Sequence, residues 1–334
     1  MQRQKQLADW LKGQLPDTPF ELAPASADAS FRRYFRAAFP DGRTFIVMDA
    51  PPQHENCRPF LHIAKLFEDA GTHVPHVYAQ DLEQGFLLLS DLGNTTYLQA
   101  LNGGNASVAR GLYESATDAL IKIQLASREN ELPLYDEALL LREMSLFPEW
   151  YITKHLQTTL DEKQGVTLGA IFQRIIKNNL AQLRVYVHRD YHSRNLMVAN
   201  PNPGILDFQD AVYGPVTYDL VSLFKDAYIH WEEGQTMDWL IRYWEKARKA
   251  GLPVHEDFGE FYRDYEWMGV QRHLKVLGIF ARLYHRDGKE GYLKDMPLVM
   301  QYLRRACERY VDLKPLLSLL DTLEQRKSQA GYTF

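Results

Sequence analysis

A chain of 334 residues that is 46% hydrophobic and 24% charged can bury a sizeable core and is long enough for two domains. A net charge of −5, with the basic residues scattered along the chain, leaves no electrostatic footprint for nucleic acid. Only two cysteines, Cys57 and Cys307, occur and they lie far apart, which excludes a disulfide framework or a cysteine zinc site and fits a reducing cytoplasm.

Leu7, Trp10, Leu11 and Leu15 recur at helical spacing and predict an amphipathic helix over residues 1–16. The interleaved Lys and Asp are wrong for a secretory leader, and no uncharged apolar run of membrane-spanning length follows, so no membrane partner is expected. Residues 20–90 read as strands with one helix. Phe31–Phe39 and Arg43–Met48 are strands joined by Pro40-Asp41-Gly42, which carries the Asp-Gly signal of a tight hairpin. Phe60, Ile63, Ala64 and Phe67 mark one face of a helix closed by Ala70-Gly71, and Val74–Ala79 and Gly85–Ser90 read as two more strands. From about residue 94 the pattern is helical, interrupted only at 185–210. The predicted fold class is therefore α+β, with a small β-rich N-lobe over 1–92 and a larger, mostly helical C-lobe over 93–334. There is no internal repeat, and no obligate protein partner is evident.

The interruption carries the chemistry. After the apolar strand Val185-Tyr186-Val187 comes His188-Arg189-Asp190, then Asn195, and Leu206-Asp207-Phe208 closes the segment. Asp190 suits a carboxylate that accepts a proton from a nucleophilic hydroxyl. Asn195 and Asp207 suit oxygen ligands for Mg²⁺, which takes one or two carboxylates and completes its shell with phosphate oxygens and water. Leu196-Met197-Val198, the turn at 200–204 and Ile205-Leu206 predict a hairpin that delivers Asp207 at a strand end. An Asp followed five residues later by an Asn is common as turn chemistry, but the preceding His-Arg, the strand and the spaced Leu-Asp-Phe together point to phosphoryl transfer from Mg-ATP.

With these motifs the chain resembles the aminoglycoside phosphotransferase and choline kinase branch of the protein-kinase-like fold. His192, two residues after Asp190, is typical of the small-molecule branch, and Gly214-Pro215 and Tyr218-Asp219 follow Asp207 too closely for the segment on which protein kinases dock a peptide. Five stretches are similar to bacterial kinases that phosphorylate the anomeric hydroxyl of N-acetylmuramate and N-acetylglucosamine in cell-wall recycling: Asp28–Arg36, Val47–Pro52, Leu88–Gly93, Leu146–Tyr151 and Gln271–Lys275. The resemblance implies a two-lobed cytoplasmic enzyme using ATP and Mg²⁺ on a small sugar. An antibiotic-modifying kinase, a catalytically weak pseudokinase and a protein kinase are the competing readings.

The same resemblance suggests where the ligands lie. Ser30, Phe31, Arg32 and Arg33 fall on the nucleotide loop, and Leu88, Ser90 and Leu92 fall at the lobe junction that pairs with adenine. Two departures stand out. The loop at 26–30 contains no glycine, and no lysine lies near Val47-Met48-Asp49, where a cation for the α- and β-phosphates is expected. An arginine of the preceding hairpin, Arg33 before Arg32, is the expected replacement, against the alternative that Arg32, Arg33 and Arg36 are all solvated strand residues. Glu55 and Glu68 are both open as the acidic partner. Glu149, Trp150, Arg194, Asp210, Gln271 and Arg272 are the acceptor candidates, with Arg194 or Arg272 suited to a lactyl carboxylate. His188 and Asp219 are expected to be structural, and His192 either braces the loop or meets the phosphates.

Overall fold

The computed structural model describes residues 2–15, 19–27, 31–102 and 105–330. In chain order its elements are α1 (Gln2–Gln14), β1 (Glu21–Ala27), β2 (Arg33–Ala38), β3 (Thr44–Asp49), α2 (Cys57–Asp69), β4 (Val77–Asp81), β5 (Phe86–Ser90), α3 (Tyr97–Leu101) and α4 (Ala106–Leu125). There follow α5 (Glu137–Met144), a π-helical segment (Phe147–His155), α6 (Glu162–Leu180), β6 (Arg184–Val187), β7 (Leu196–Met197), β8 (Gly204–Ile205) and β9 (Val212–Pro215). The remaining helices are α7 (Tyr218–Phe224), α8 (Glu233–Lys249), α9 (Phe258–Asp287), α10 (Met296–Arg309) and α11 (Lys314–Ala330). By internal packing the chain divides into two units, residues 1–123 with 194–210, and residues 124–193 with 211–334.

The first unit is built on an antiparallel sheet of five strands in the order β1-β2-β3-β5-β4. The β2–β3 hairpin turns at Asp41-Gly42, where Gly42 adopts φ 85° and so occupies the left-handed region at no steric cost. Alternation along β2 sends Phe35 and Ala37 to one face, where they meet Val47, Phe86 and Leu88. Leu7 and Leu11 of α1, both fully buried, cover that face. Truncating either leucine to alanine is expected to cost about 2–5 kcal/mol, the usual range for a core leucine. β1 lies at the sheet edge and its register shifts between Pro24 and Ser26, a place where a residue without an N–H does little damage. The β7–β8 pair also belongs to this unit: Leu196 faces Ile205, Met197 faces Gly204, and Val198 N donates to Thr95 O at 2.8 Å.

In the second unit β6 pairs with β9, Val187 opposite Val212, and the helices gather around α9. Asp257 caps α9, accepting from Glu260 N at 3.0 Å, and Gly288 at φ 66° ends it. The helix is buried on every side from Tyr265 to Gly278, yet that stretch contains Glu266, Gln271, Arg272, His273 and Lys275. Such groups are rarely buried without partners, so they mark where this unit holds polar machinery. At Gly278 a Cβ would lie 2.4 Å from the Leu146 carbonyl carbon, so only glycine lets α9 approach the residues leading into the π-helical segment so closely.

Candidate active site

In the second unit, buried β6 delivers His188, which is fully buried. Asp219, near the start of α7, accepts from the backbone N–H of His188 at 2.7 Å and of Arg189 at 3.0 Å. The His188 ring accepts from Asp190 N at 3.2 Å, and Asp226 takes Ser193 N at 2.9 Å and Tyr228 N at 3.0 Å. Five loop amides are therefore tied to buried groups or their neighbours: His192 N also donates to Asp190 O at 3.0 Å. Arg189 sits at φ 78°, a left-handed conformation costly for a residue with a side chain, and such strain is typical of functional loops held by their surroundings.

The side chain of Asp190 remains 44% exposed, while cations approach it from α9. Arg272 Nη2 lies 3.6 Å from Asp190 Oδ1, and Arg272 Nη1 donates to Arg189 O at 2.7 Å and to Tyr218 Oη at 3.2 Å. Lys275 Nζ donates to the same tyrosine at 2.9 Å and pairs with Glu143 at 3.0 Å. Burial alone would raise the Asp190 carboxyl, but Lys275 and Arg272, with His192 and Arg189, outweigh it and hold Asp190 well below the usual carboxylate range. Asp190 is thus held ionised as a hydrogen-bond acceptor, suited to orienting a hydroxyl. Asp219, by contrast, is pushed up to about 7 by burial, with the Asp190 charge adding to that effect, despite its two amide donors.

Glu143 of α5 anchors the arrangement. Its carboxylate takes the Tyr135 hydroxyl, the Arg189 guanidinium, Lys275 and, at 3.1 Å, Gln271 Nε2. Burial opposes ionisation there, yet Lys275 and Arg189 lower its carboxyl to about 2. Gln271 is fully buried and also donates to Tyr135 Oη at 3.2 Å, and the Arg272 residue is only 6% exposed. Both face inward: their bonds run to Glu143, Tyr135, Tyr218 and the Arg189 carbonyl.

In the first unit the structure brings Asn195 and Asp207 together, Asn195 Nδ2 standing 3.3 Å from Asp207 Oδ2, with Leu206 N donating to Asn195 O at 2.9 Å. Asp207 adopts φ 63° and its side chain is 42% exposed, whereas its neighbour Phe208 is fully buried against Phe60 at 4.9 Å and Phe67 at 5.9 Å. The buried ring holds the strained carboxylate outward. Gln209 Nε2 donates to Asp207 Oδ1 at 2.8 Å, and Arg32 Nη2 lies 3.8 Å from the same oxygen. The amide oxygen of Asn195 and the carboxylate of Asp207 are hard donors that fit Mg²⁺. Among the described residues no group of three or more His, Cys, Asp or Glu side chains is placed to hold a metal.

Arg33 pairs with fully buried Asp49, its Nε 3.1 Å from Oδ2, and Arg3 reaches the same carboxylate at 2.6 Å. Arg36 makes a two-point contact with Asp91 at 2.6 and 3.0 Å and donates to Gly93 O at 3.1 Å. Phe31 is 62% exposed, stacks on His54 at 4.4 Å, and its N–H donates to Glu55 at 3.0 Å, while Glu68 meets His76 at 2.7 Å. Ser30 lies outside the described residues. Leu88 and Leu92 are buried and Ser90 is half-buried, accepting from His76 N at 2.9 Å. Glu149 is exposed and Trp150 half-buried on the π-helical segment, Arg194 is half-buried, Asp210 is exposed, and the His192 ring packs edge-on to Tyr228 at 5.4 Å. Glu143, Asp226 and Gln209 were not singled out from sequence, and Tyr218 only through its place beside Asp219. The one available signal was polar residues recurring within otherwise apolar helices.

Residues 21–258 match the phosphotransferase enzyme family (APH). N-acetylmuramate/N-acetylglucosamine kinase of Neisseria meningitidis serogroup B is 50% identical over 336 residues, covering 100% of both chains. The protein of that name from Pseudomonas aeruginosa is 51% identical, with 97% of each chain covered. Among solved structures, choline kinase LicA from Streptococcus pneumoniae superposes with a TM-score of 0.64 over 90% of this chain and 98% of its own, at 12% identity. The ADP-bound aminoglycoside phosphotransferase APH(2'')-Ib gives 0.60 over 89% and 97%, at 16% identity. At such identities these two likenesses speak for the fold.

Proposed function

The chain belongs to the phosphotransferase enzyme family, and we propose that it carries the γ-phosphoryl group of ATP to the anomeric hydroxyl of N-acetylmuramate and N-acetylglucosamine. The observation that carries the substrate class is the half-identical relatives of that name, matched along the whole chain.

Asp190 accepts a hydrogen bond from the sugar hydroxyl and aims its oxygen at the γ-phosphorus; held ionised by Arg272 and Lys275, it orients the nucleophile and takes its proton only as the bond to phosphorus forms. Asn195 and Asp207 hold Mg²⁺, which when bound offsets the charge of the phosphates. Residues 1–92 form the nucleotide lobe. Leu92 walls the adenine, with Ser90 at its edge and Arg36 fixing the chain through Asp91 and Gly93, while Leu88 packs under α1 and supports that strand from the other face. Glu149, Trp150, Arg194 and Asp210 are the acceptor contacts. His188 and Asp219 position the loop without touching the reactants. Among the described residues no helix is long and apolar enough to cross a membrane.

The test is ATP consumption with Mg²⁺ and a panel of N-acetylmuramate, N-acetylglucosamine, glucosamine, choline and kanamycin. Turnover confined to the N-acetylated sugars is expected. Turnover with choline or kanamycin alone would discard the substrate, and none at all would discard the kinase reading.

A further inference from the structure

A phosphoryl-transfer site needs a cation against the nucleotide's phosphates, and β3 ends in Val47-Met48-Asp49, which supplies none. Asp49 does the opposite, drawing Arg3 and Arg33 onto its buried carboxylate. Arg36 is committed to Asp91 and Gly93. Arg43, at the turn, pairs with Asp41, and Arg32 alone of these arginines is seen to reach the residue pair that fits Mg²⁺. It stands just before β2, its side chain is 11% exposed, and its Nη2 lies 3.8 Å from Asp207 Oδ1.

We propose that Arg32 supplies the phosphate-binding cation that β3 lacks, entering from β2 instead. Two features of the geometry support it. A guanidinium already ion-paired with a metal-binding carboxylate sits where phosphate charge has to be neutralised, and its planar fork matches two phosphate oxygens at once. The next residue, Arg33, is turned to Asp49, and that pairing braces the start of β2 from which Arg32 projects. Arg32 and Asp207 then form a pair that ATP and its metal part: Asp207 passes to the metal and Arg32 to the phosphates. This deepens the kinase reading only through ATP and does not depend on the sugar.

The experiment is calorimetric titration of ATP, ADP and adenosine, with Mg²⁺ and without acceptor, into the wild-type chain, R32A and R32K. R32A should bind ATP and ADP about 10- to 100-fold more weakly, as for loss of a charged hydrogen-bond partner, with adenosine unchanged. R32K keeps the charge but not the fork and should lose about 3- to 10-fold for ATP alone, which carries the test if R32A does not fold. ATP affinity within twofold of wild type in either variant, or equal weakening of adenosine, would overturn the assignment. A failure of the sugar assay would leave this result standing.

Discussion

Glu143→Gln is the perturbation that most directly probes the buried network behind Asp190. The carboxylate faces Arg189, Lys275, Tyr135 and Gln271, and its side chain is only 6% exposed, so solvent does not screen the loss. Removing one partner of a buried ion pair typically costs about 3–5 kcal/mol, because the cations are left uncompensated. A second route agrees: a carboxyl lowered from 4.5 to about 2 on folding corresponds to on the order of 3 kcal/mol at neutral pH. Because the folded value is depressed, that stability is fully present above pH 4.5 and is lost as the pH falls toward 2. Thermal melts of the wild type and E143Q at pH 7 should differ by about 6–20 °C, at roughly 2–4 °C per kcal/mol for a domain of this size. The difference should narrow on acidification from pH 4.5 to 3. E143Q/K275M, which removes both charges, should be less destabilised than the sum of the single variants. Melts within 2 °C at pH 7 with an unchanged acid limb would refute the reasoning.

Asp190→Asn is expected to lower kcat by about 10²- to 10⁴-fold, the usual range for a positioned base, with nucleotide affinity measured separately and nearly unchanged. Gly278→Ala should lower the melting temperature by an amount equivalent to about 1–3 kcal/mol, because its Cβ would lie 2.4 Å from the backbone of Leu146. Asp219 acts opposite in sign to Glu143. Its folded value is raised from 3.8 to about 7, so the native state binds the proton more tightly and this contribution to stability falls as the pH rises from 3.8 through 7. Melts of D219N across that range should lack this decline, while kcat falls because the amides of His188 and Arg189 lose an acceptor.

Much of the fold was legible because local chemistry and tertiary context agree. Asp41-Gly42 set the β2–β3 hairpin, the Phe60, Ile63, Ala64 and Phe67 stripe set α2, and Leu7 with Leu11 set α1. β1 was not read as a separate strand, since Glu-Leu-Ala-Pro-Ala-Ser-Ala shows no alternation and its Pro24 is tolerated only at an edge beside a register shift. The segment at 147–155 reads as a helix beginning near Pro148, but π geometry comes from packing against α9 and leaves no mark in periodicity. Asp190, Asn195 and Asp207 stand out because their spacing is dictated by a strand, a loop and a short hairpin of two-residue strands. The partners of Gln271, Arg272 and Lys275 were not legible for a physical reason: charged and amide side chains on a helix are usually solvated, and only the tertiary position of α9 reveals that they face Glu143, Tyr135 and Tyr218. The preference for Arg33 over Arg32 likewise could not anticipate Asp49, whose buried carboxylate captures the former.

The most direct measurement is ³¹P and ¹H NMR of the product formed from ATP, Mg²⁺ and N-acetylmuramate or N-acetylglucosamine. A phosphorus coupled to the anomeric proton, with the reducing end lost, is the predicted result; phosphate on any other hydroxyl, or no sugar phosphate at all, would contradict the account.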